Sequence, residues 1–278
     1  MRIPTIADGF FFIGRLLCRF RGRSFVDGIE KNTDAFHRGL NNVDFHMAQN
    51  GELRVLKILS KLSTPKCVFD VGANIGAWSR AASELWPACP IHAFEIVPST
   101  YEELVANTKN LKNMIANNFG LSNKEGTVPI SLGSMSLIAT GCKIEGMKAH
   151  EEFYTQEIQG KVRKASDYLK ERAIEAIDFL KVDVEGMDFK VIKGFEERIK
   201  NVRVVQFEYG IFNVASHDLL NDFCQHFKAN GFVVGKIFPK TVRFFDYYFN
   251  MENFHGSNYL AVRSDEKELI SKLSKCSR

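Results

Sequence analysis

Hydrophobic positions after Pro65 form short strand-like runs that alternate with stretches of helical periodicity. The strand-like runs are CVFDVG, IHAFEI, NMIANN, AIDFLKVDV and VRVVQFEY. Helices are predicted near 75–86, 99–111, 187–199 and 216–230, and Ser99 and Glu102 have capping-box spacing at the start of the second. Strands separated by helices of this length join through right-handed crossovers, so the pattern predicts an α/β fold with a parallel sheet and helices on both faces.

The pattern changes at both ends of the chain and once in the middle. Residues 1–64 are helical and irregular, which predicts an N-terminal helical extension or cap before a main domain at 65–264. The β-rich stretch GTVPISLGSMSLI predicts a hairpin inserted into the wound sheet, within an insertion at about 126–165. The closely spaced runs FVVGKIF, VRFFDYYF and NYLAVR predict an antiparallel edge, followed by a C-terminal tail at 265–278.

Composition and charge narrow the class of protein. The 278 residues are 45% hydrophobic, which is enough for one full core. The 37 basic and 33 acidic residues are spread along the chain, so no nucleic-acid partner is expected. The six cysteines show no paired spacing and no secretory signal is visible, which favours reduced thiols and a cytoplasmic location.

The N-terminal segment FFFIGRLL is apolar but too short to cross a bilayer. Four arginines, at 15, 19, 21 and 23, accompany its apolar residues. One interpretation is a helix that packs on the main domain or on a second subunit of a homo-oligomer. The alternative is a basic amphipathic helix on an anionic surface, which would place the protein at the inner membrane surface.

The segment DVGANIGAWS lies between the first strand and the first helix, where open α/β sheets bind ligands. Gly72 permits a tight turn, Ala73 keeps the approach clear, and Gly76 lets the helix start pack closely. Asn74 stands where the dinucleotide fingerprint has its second glycine, which disfavours NAD. Glu95 ends the second strand, where its carboxylate can accept hydrogen bonds from both hydroxyls of a ribose.

Together with NNFGLSNKEGT and IDFLKVDVEGMDFKVIKGF, these segments resemble the FkbM-type family of S-adenosylmethionine-dependent methyltransferases over about residues 50–262. Its two signatures, D-V-G-A-N-x-G-x-x-S and K-x-D-V-E-G-x-[DE], are both present. The resemblance implies a class I methyltransferase fold, a Rossmann-like seven-stranded, mostly parallel sheet with an antiparallel last strand. It also implies methylation of hydroxyl oxygens of polyketides or sugars. One departure is FEIVPS, where the family more often has F-E-P.

The resemblance implies contacts to the cofactor. The residues concerned are Asp70, Gly72, Ala73, Asn74, Gly76, Glu95, Asn118 and Phe119. Asp70 would face the ammonium of the methionine end and Glu95 would hold the ribose. Asn118 and Phe119 would lie near the adenine, although a phenylalanine buried in the core is an equal alternative for Phe119.

Several acidic residues are candidates for the chemistry. A neutral hydroxyl is a poor nucleophile and needs a base or a metal to take its proton. Asp183, Glu185 and Glu208 follow neighbouring strands, so we predict a general base among them and no metal, with a divalent-metal site as the alternative. His255, in the loop before the last strand, is an alternative base.

The acceptor is expected to contact Ser134 and Ser136 in the inserted hairpin, together with the N-terminal residues 1–50. The sequence therefore predicts an S-adenosylmethionine-dependent O-methyltransferase that acts on a saccharide or glycan precursor. Two alternatives are an NAD-dependent oxidoreductase with a related sheet and a non-catalytic membrane-associated binding protein.

Overall fold

The computed structural model describes residues 5–134 and 139–276 and divides into two compact units, Met1–Val43 and Asp44–Arg278. The first unit contains α1 (Ile6–Leu17), a 3₁₀ helix (Cys18–Phe20) and α2 (Ser24–Leu40). Within the described part of the chain, no helix combines the length and the apolar character needed to cross a membrane.

The second unit contains the remaining elements. Its α-helices are α3 (Met47–Asn50), α4 (Glu52–Leu62), α5 (Ala77–Leu85), α6 (Pro98–Thr108), α7 (Lys148–Phe153), α8 (Ala165–Glu171), α9 (Asp188–Gly194), α10 (Asn213–Ser216), α11 (Leu220–Ala229) and α12 (Lys267–Ser274), with 3₁₀ helices at Glu196–Asn201 and Phe249–Met251. Its strands are β1 (Val68–Val71), β2 (Ile91–Phe94), β3 (Met114–Asn117), β4 (Gly120–Ser122), β5 (Gly126–Gly133), β6 (Ala139–Thr140), β7 (Tyr154–Lys164), β8 (Ile177–Val182), β9 (Val202–Glu208), β10 (Phe232–Phe238), β11 (Thr241–Phe244) and β12 (Asn258–Arg263).

The main sheet has the strand order β11-β10-β12-β9-β8-β1-β2-β3. Five neighbouring strands of this sheet are parallel, namely β9, β8, β1, β2 and β3, whereas β12 runs antiparallel to both β9 and β10. This arrangement confirms the predicted wound sheet with an antiparallel last strand. It has one strand more than the seven expected, because β11 adds an antiparallel edge beside β10.

The alternation of side chains along the strands builds two cores, one on each face of the main sheet. On β1, Val68 packs in the core formed with α4, α5 and α12, whereas Phe69 and Val71 pack in the core formed with α8, α9 and α11. Helices therefore cover both faces, as predicted.

The unit boundary differs from the predicted extension at 1–64. Helix α4 belongs with the main sheet because Val55, Leu56 and Leu59 are buried in its core. The predicted C-terminal tail also packs there, because Leu269 and Leu273 of α12 are buried in the same core.

A second, four-stranded sheet has the order β4-β7-β5-β6. We predicted a hairpin inserted into the wound sheet. Strand β5 does pair antiparallel with the two-residue strand β6, but both lie in this separate sheet, where β5 also pairs antiparallel with the distant β7. Strand β7 lies in the later, polar part of the predicted insertion, for which no strand was predicted. It is polar because several of its side chains are exposed on one side of this sheet.

The start of α6 also differs from prediction. The helix begins at Pro98 with Val97 as its N-cap, and Ser99 lies inside its first turn. The capping box predicted from Ser99 and Glu102 was therefore wrong, since no side chain caps this helix. Proline in the first turn accounts for the earlier start, because its fixed φ suits that position and its missing N–H costs nothing there.

Candidate active site

A cleft with an empty volume of about 950 Å³ lies between the carboxyl ends of β1, β2 and β8 and the second sheet. It is lined by Gly72, Asn74, Glu95, Ile96, Val97, Thr100, Gly120, Leu121, Ser122, Val128, Ile130, Ala139, Thr140, Gly141, Val162, Asp183, Val184, Glu185 and Met187. Side chains of both sheets line the cleft, so a ligand bound there would lie between them. The location agrees with the sequence prediction of a ligand site after the first strand.

The glycine loop after β1 lies against the end of β8. Gly72 has φ +83°, and a Cβ atom at this position would collide with the carbonyl oxygen of Asp183. Gly76 has φ +86°, and a Cβ atom there would lie 2.8 Å from a side-chain carbon of α6. Ala73 is buried behind the loop. Of the predicted loop residues, Gly72 and Asn74 therefore line the cleft, whereas Ala73 and Gly76 support it through packing.

Glu95 lines the cleft and is held by two backbone hydrogen bonds. Its Oε2 accepts the N–H of Asn74 at 2.9 Å, and its Oε1 accepts the N–H of Val97 at 2.8 Å. Burial raises the pKa of Glu95, and these two hydrogen bonds oppose that shift. Each oxygen has a second lone pair, so the carboxylate can still accept hydrogen bonds from a ligand.

Asp70 does not reach the cleft, contrary to the contact expected with the cofactor's ammonium. It is 0% exposed, and its Oδ2 accepts a hydrogen bond of 2.7 Å from the Ser79 hydroxyl on α5. Its Oδ1 lies 3.7 Å from Nζ of Lys181. The reason is strand alternation, because the Asp70 side chain lies on the face of the sheet that α5 covers. Burial raises the pKa of Asp70, and the Lys181 charge opposes that shift.

Asn118 and Phe119 also lie outside the cleft lining. The Asn118 side chain donates a hydrogen bond of 3.0 Å to the carbonyl of Glu95. The Phe119 ring packs edge-on against Tyr168, with a centroid distance of 5.8 Å. Phe119 therefore fits the alternative that the sequence left open, a phenylalanine packed on the core. In this position its ring does not line the cleft where the adenine contact was expected.

The apolar wall of the cleft was not predicted from the sequence. It is formed by Ile96 and by side chains of the second sheet, including Ile130 and Val162. A Cβ atom at Gly160 would lie 2.6 Å from Cδ1 of Ile96, so the missing side chain makes room for Ile96 between the two sheets. The FEIVPS departure was the available signal, because it places this isoleucine directly after Glu95.

Three predicted carboxylates meet beside the cleft. Asp183, Glu185 and Glu208 each offer an oxygen, and these oxygens all lie within 4.8 Å of one another. The carboxyl ends of β8 and β9 bring them together, because these strands are parallel neighbours. Oxygens at this spacing could ligate a divalent cation or exchange a proton with a substrate.

The pKa values differ among the acidic groups here. Burial, followed by the charges of Asp183 and Asp188, raises the pKa of Glu185 to about 8. Burial also raises the pKa of Glu208 well above its ordinary value and that of Asp188 to about 7. Asp183 instead accepts a hydrogen bond of 2.8 Å from Nζ of Lys181. Glu185 is thus a cleft-lining carboxylate whose proton affinity suits proton transfer near neutral pH.

The backbone at Glu185 is strained and is held from both sheets. Its φ of +53° lies in the left-handed region, which is uncommon for residues other than glycine. The hydroxyl of Thr140 on β6 donates a hydrogen bond of 2.7 Å to the Glu185 carbonyl. Asp188, which had no predicted role, accepts the N–H groups of Gly186 and Glu208 at 3.2 and 3.3 Å. The second sheet and Asp188 therefore fix this turn.

The remaining predicted residues lie apart from the cleft lining. The backbone N–H of His255 donates to the Asn253 side chain, and His255 is not among the residues that line the cleft. Ser134 is exposed at the end of β5 and does not line the cleft either. Ser136 lies outside the described residues. Thr140 and Gly141, close by in the chain, are the cleft-lining residues of this region.

The strand order and the antiparallel final strand between β9 and β10 define a class I methyltransferase fold, which uses S-adenosylmethionine as its cofactor. The chain belongs to the FkbM methyltransferase family. The family model described as the methyltransferase FkbM domain matches residues 70–234, which is more than half of the chain. This membership excludes the NAD-dependent alternative.

Three curated relatives are similar over part of the chain. Methyltransferase sdnD of Sordaria araneosa is 28% identical over 180 residues, covering 54% of this chain and 70% of the relative. The 2-O-methyltransferase NoeI of Sinorhizobium fredii is 24% identical over 201 residues, covering 68% and 75%. The hexuronic acid methyltransferase AglP of Haloferax volcanii is 26% identical over 157 residues, covering 56% and 61%.

Proposed function

We propose that this chain transfers a methyl group from S-adenosylmethionine to a hydroxyl oxygen of a saccharide or glycan precursor, with Glu185 as the general base. The observation that carries the proposal is the position of Glu185, which lines the cleft and has its pKa raised to about 8. A base of this strength can accept the proton of a hydroxyl as the new bond forms.

Several features of the cleft lining support cofactor binding at this site. Gly72 and Asn74 line one side, and the carboxylate of Glu95 has lone pairs available for the two ribose hydroxyls. The carboxyl groups of Glu95 and Asp183 line the cleft, and a carboxylate there favours a cationic ligand. When bound, S-adenosylmethionine supplies the methyl group as an electrophile on a sulfonium. The apolar wall around Ile96 and Val162 would cover the adenine, in place of the expected contact with Phe119.

The other acidic residues support Glu185 in this proposal. Asp183 is paired with Lys181, and the negative charge of Asp183 raises the pKa of Glu185. Asp188 raises it further and also fixes the turn through Gly186. These residues hold the base in place and set its proton affinity, so the protein contributes positioning and proton transfer to the reaction.

The acceptor class is supported by the names of two relatives. NoeI is a 2-O-methyltransferase and AglP is a hexuronic acid methyltransferase. We infer that this chain likewise accepts a hydroxyl of a sugar. The acceptor would approach Glu185 past Thr140 and Met187, which line the same part of the cleft.

The test is an assay of the purified protein with S-adenosylmethionine labelled on the methyl group and a panel of neutral sugars and hexuronic acids. We expect label in a product that resists mild base, because an ether is stable where a methyl ester hydrolyses. The variant Glu185→Gln should lose about 10²- to 10⁴-fold in kcat and retain cofactor affinity. Glu197→Gln, at an exposed carboxylate, is the matched control. A base-labile product, or full activity of Glu185→Gln, would overturn the proposal.

A further inference from the structure

Helix α1 of the first unit has an exposed apolar face. Ile6, Phe10 and Ile13 fall on one side of this helix and are 82%, 72% and 52% exposed. No residue of α1 is buried. Asp8 and Arg15 fall on the opposite side, so the helix is amphipathic with its apolar side in solvent.

Helix α2 carries a second exposed apolar stripe. Phe25, Ile29, Phe36 and Leu40 recur at helical spacing, and they are 53%, 45%, 68% and 61% exposed. Single exposed apolar residues are normal on protein surfaces, whereas several of them along one side of a helix are typical of an interaction site. Both helices of the first unit therefore present the same kind of surface.

The segment from the second residue after Asp8 to the start of α2 carries positive charge only, whereas α2 itself also contains Asp27, Glu30 and Asp34. Residues 9–26 contain four arginines and no acidic residue. Arg21 forms an ion pair with Glu30 of α2, and the guanidinium of Arg23 lies 5.3 Å from the centroid of the Phe20 ring. Arginine beside exposed phenylalanine is the composition of helices that lie in the headgroup region of anionic bilayers.

We propose that α1 and α2 bind the surface of an anionic lipid bilayer, with α1 lying in the plane of the interface. The helix has 12 residues, which at 1.5 Å per residue is shorter than the hydrocarbon core, so it lies on the bilayer and does not cross it. A second copy of the chain fits less well, because the arginine clusters of two copies would repel each other.

The experiment is co-sedimentation of the full chain with vesicles of phosphatidylcholine alone or mixed with phosphatidylglycerol. We expect binding to the mixed vesicles that weakens at high salt, and much weaker binding to phosphatidylcholine alone. The triple variant R15Q/R19Q/R23Q should lower the partition coefficient about a hundredfold, since each arginine near an anionic surface contributes about fivefold, equivalent to about 1 kcal/mol. F10S/I13S should also remove most binding.

Matched controls come from the second unit. K112Q/R198Q/K228Q removes three exposed charges there, and F249S removes a phenylalanine that is 66% exposed. We expect both controls to bind as the unmodified chain does. Equal binding to neutral vesicles, equal loss in the controls, or no binding at all would overturn the proposal. The proposal would also be overturned if the chain formed a dimer in solution that F10S/I13S dissociates, and if the chain did not bind vesicles. Circular dichroism of each variant verifies that the fold is retained.

Discussion

Lys181 donates a hydrogen bond of 2.8 Å to Asp183 from inside the main sheet, and only 7% of its side chain is exposed. The same ammonium lies 3.7 Å from the fully buried Asp70. Lys181 therefore links a carboxylate beneath the cleft to one that lines it. Asp70 and Lys181 are register partners on the adjacent strands β1 and β8. Their side chains therefore lie on the same face of the sheet, which brings the ammonium close to the buried carboxylate.

Lys181→Met is expected to destabilise the protein strongly. Removing the cation leaves Asp70 and Asp183 without their partner, and an uncompensated buried charge costs about 3–5 kcal/mol. Urea unfolding measures the loss. Lys272→Met is the control, because Lys272 pairs with Glu268 on the surface and should cost less than about 0.5 kcal/mol. Adding Asp70→Asn should recover part of the stability, and equal losses for the two lysine variants would contradict this account.

Gly72→Ala tests the close approach of the glycine loop to β8. The added Cβ atom would collide with the carbonyl of Asp183, and the backbone conformation is left-handed. Gly146→Ala is the control, because Gly146 has φ +75° but open space around it, which isolates a conformational cost of about 1–2 kcal/mol. We expect Gly72→Ala to cost more than Gly146→Ala in chemical unfolding and to weaken cofactor binding. Similar values for both would show that the close approach has no energetic weight.

Most of the main sheet could be predicted because its strands are buried on both faces. Runs such as CVFDVG and AIDFLKVDV are then mostly apolar and not strictly alternating, which is a strong local signal. The ligand site followed from the same signal, because the carboxyl ends of parallel strands share one edge. The sequence alone therefore predicts a shared site for several residues that line the cleft, namely Gly72, Asn74, Glu95, Asp183 and Glu185.

The second sheet could not be predicted with the same ease. Strand β7 pairs with β5 across a long intervening segment, and its exposed side chains make it read as a polar loop. The predicted contact of Asp70 with the cofactor was wrong for a related reason. Helices cover both faces of β1, so the sequence does not show which face its side chains share with the ligand. Phe119 is a similar case. An aromatic residue at the end of a strand has the same local sequence pattern whether it packs on the core or on a ligand.

Glu95→Ala is expected to weaken S-adenosylmethionine binding without unfolding the protein. Loss of a charged acceptor for two ribose hydroxyls should raise Kd about ten- to several-hundredfold, at about 1.5–3 kcal/mol for a hydrogen bond to a charged group. Isothermal titration calorimetry measures this change. Phe119→Leu is the comparison, because Phe119 does not line the cleft, and its Kd should stay within a few fold. The reverse ranking would restore Phe119 as the adenine contact.

Thr140→Val tests whether the second sheet positions the base. The Thr140 hydroxyl donates to the Glu185 carbonyl at 2.7 Å and accepts the N–H of Cys142 at 2.9 Å. Valine keeps the shape and removes both hydrogen bonds. We expect kcat to fall more than tenfold with an unchanged Kd for S-adenosylmethionine, and Thr140→Ser to restore most of kcat. A change confined to thermal stability would indicate a purely structural role.

The pH dependence of turnover follows from the raised pKa of Glu185. The base must be ionised to accept a proton, so kcat should fall as pH drops below about 8, the value to which burial and Asp183 raise its pKa. The same shift predicts lower stability at high pH. Protonated Glu185 is favoured in the folded state, and this stabilises the protein at low pH. The stabilisation is lost as pH rises from about 4.3, the pKa of the group in the unfolded chain, through about 8, its pKa in the folded protein. Glu185→Gln should therefore raise Tm above pH 8 while its kcat is about 10²- to 10⁴-fold lower.

Asp183→Asn separates the charge of Asp183 from the proton transfer itself. Its charge raises the pKa of Glu185 and its pairing engages Lys181, whose charge lowers that pKa. Removing the carboxylate should therefore move the acidic limb of the kcat profile to lower pH. Turnover should fall less than in Glu185→Gln, and cofactor affinity should stay within a few fold. Two results together would assign the base to Glu208, the third carboxylate of the cluster. The acidic limb of the kcat profile would stay at the same pH in Asp183→Asn, and Glu185→Gln would still show an acidic limb.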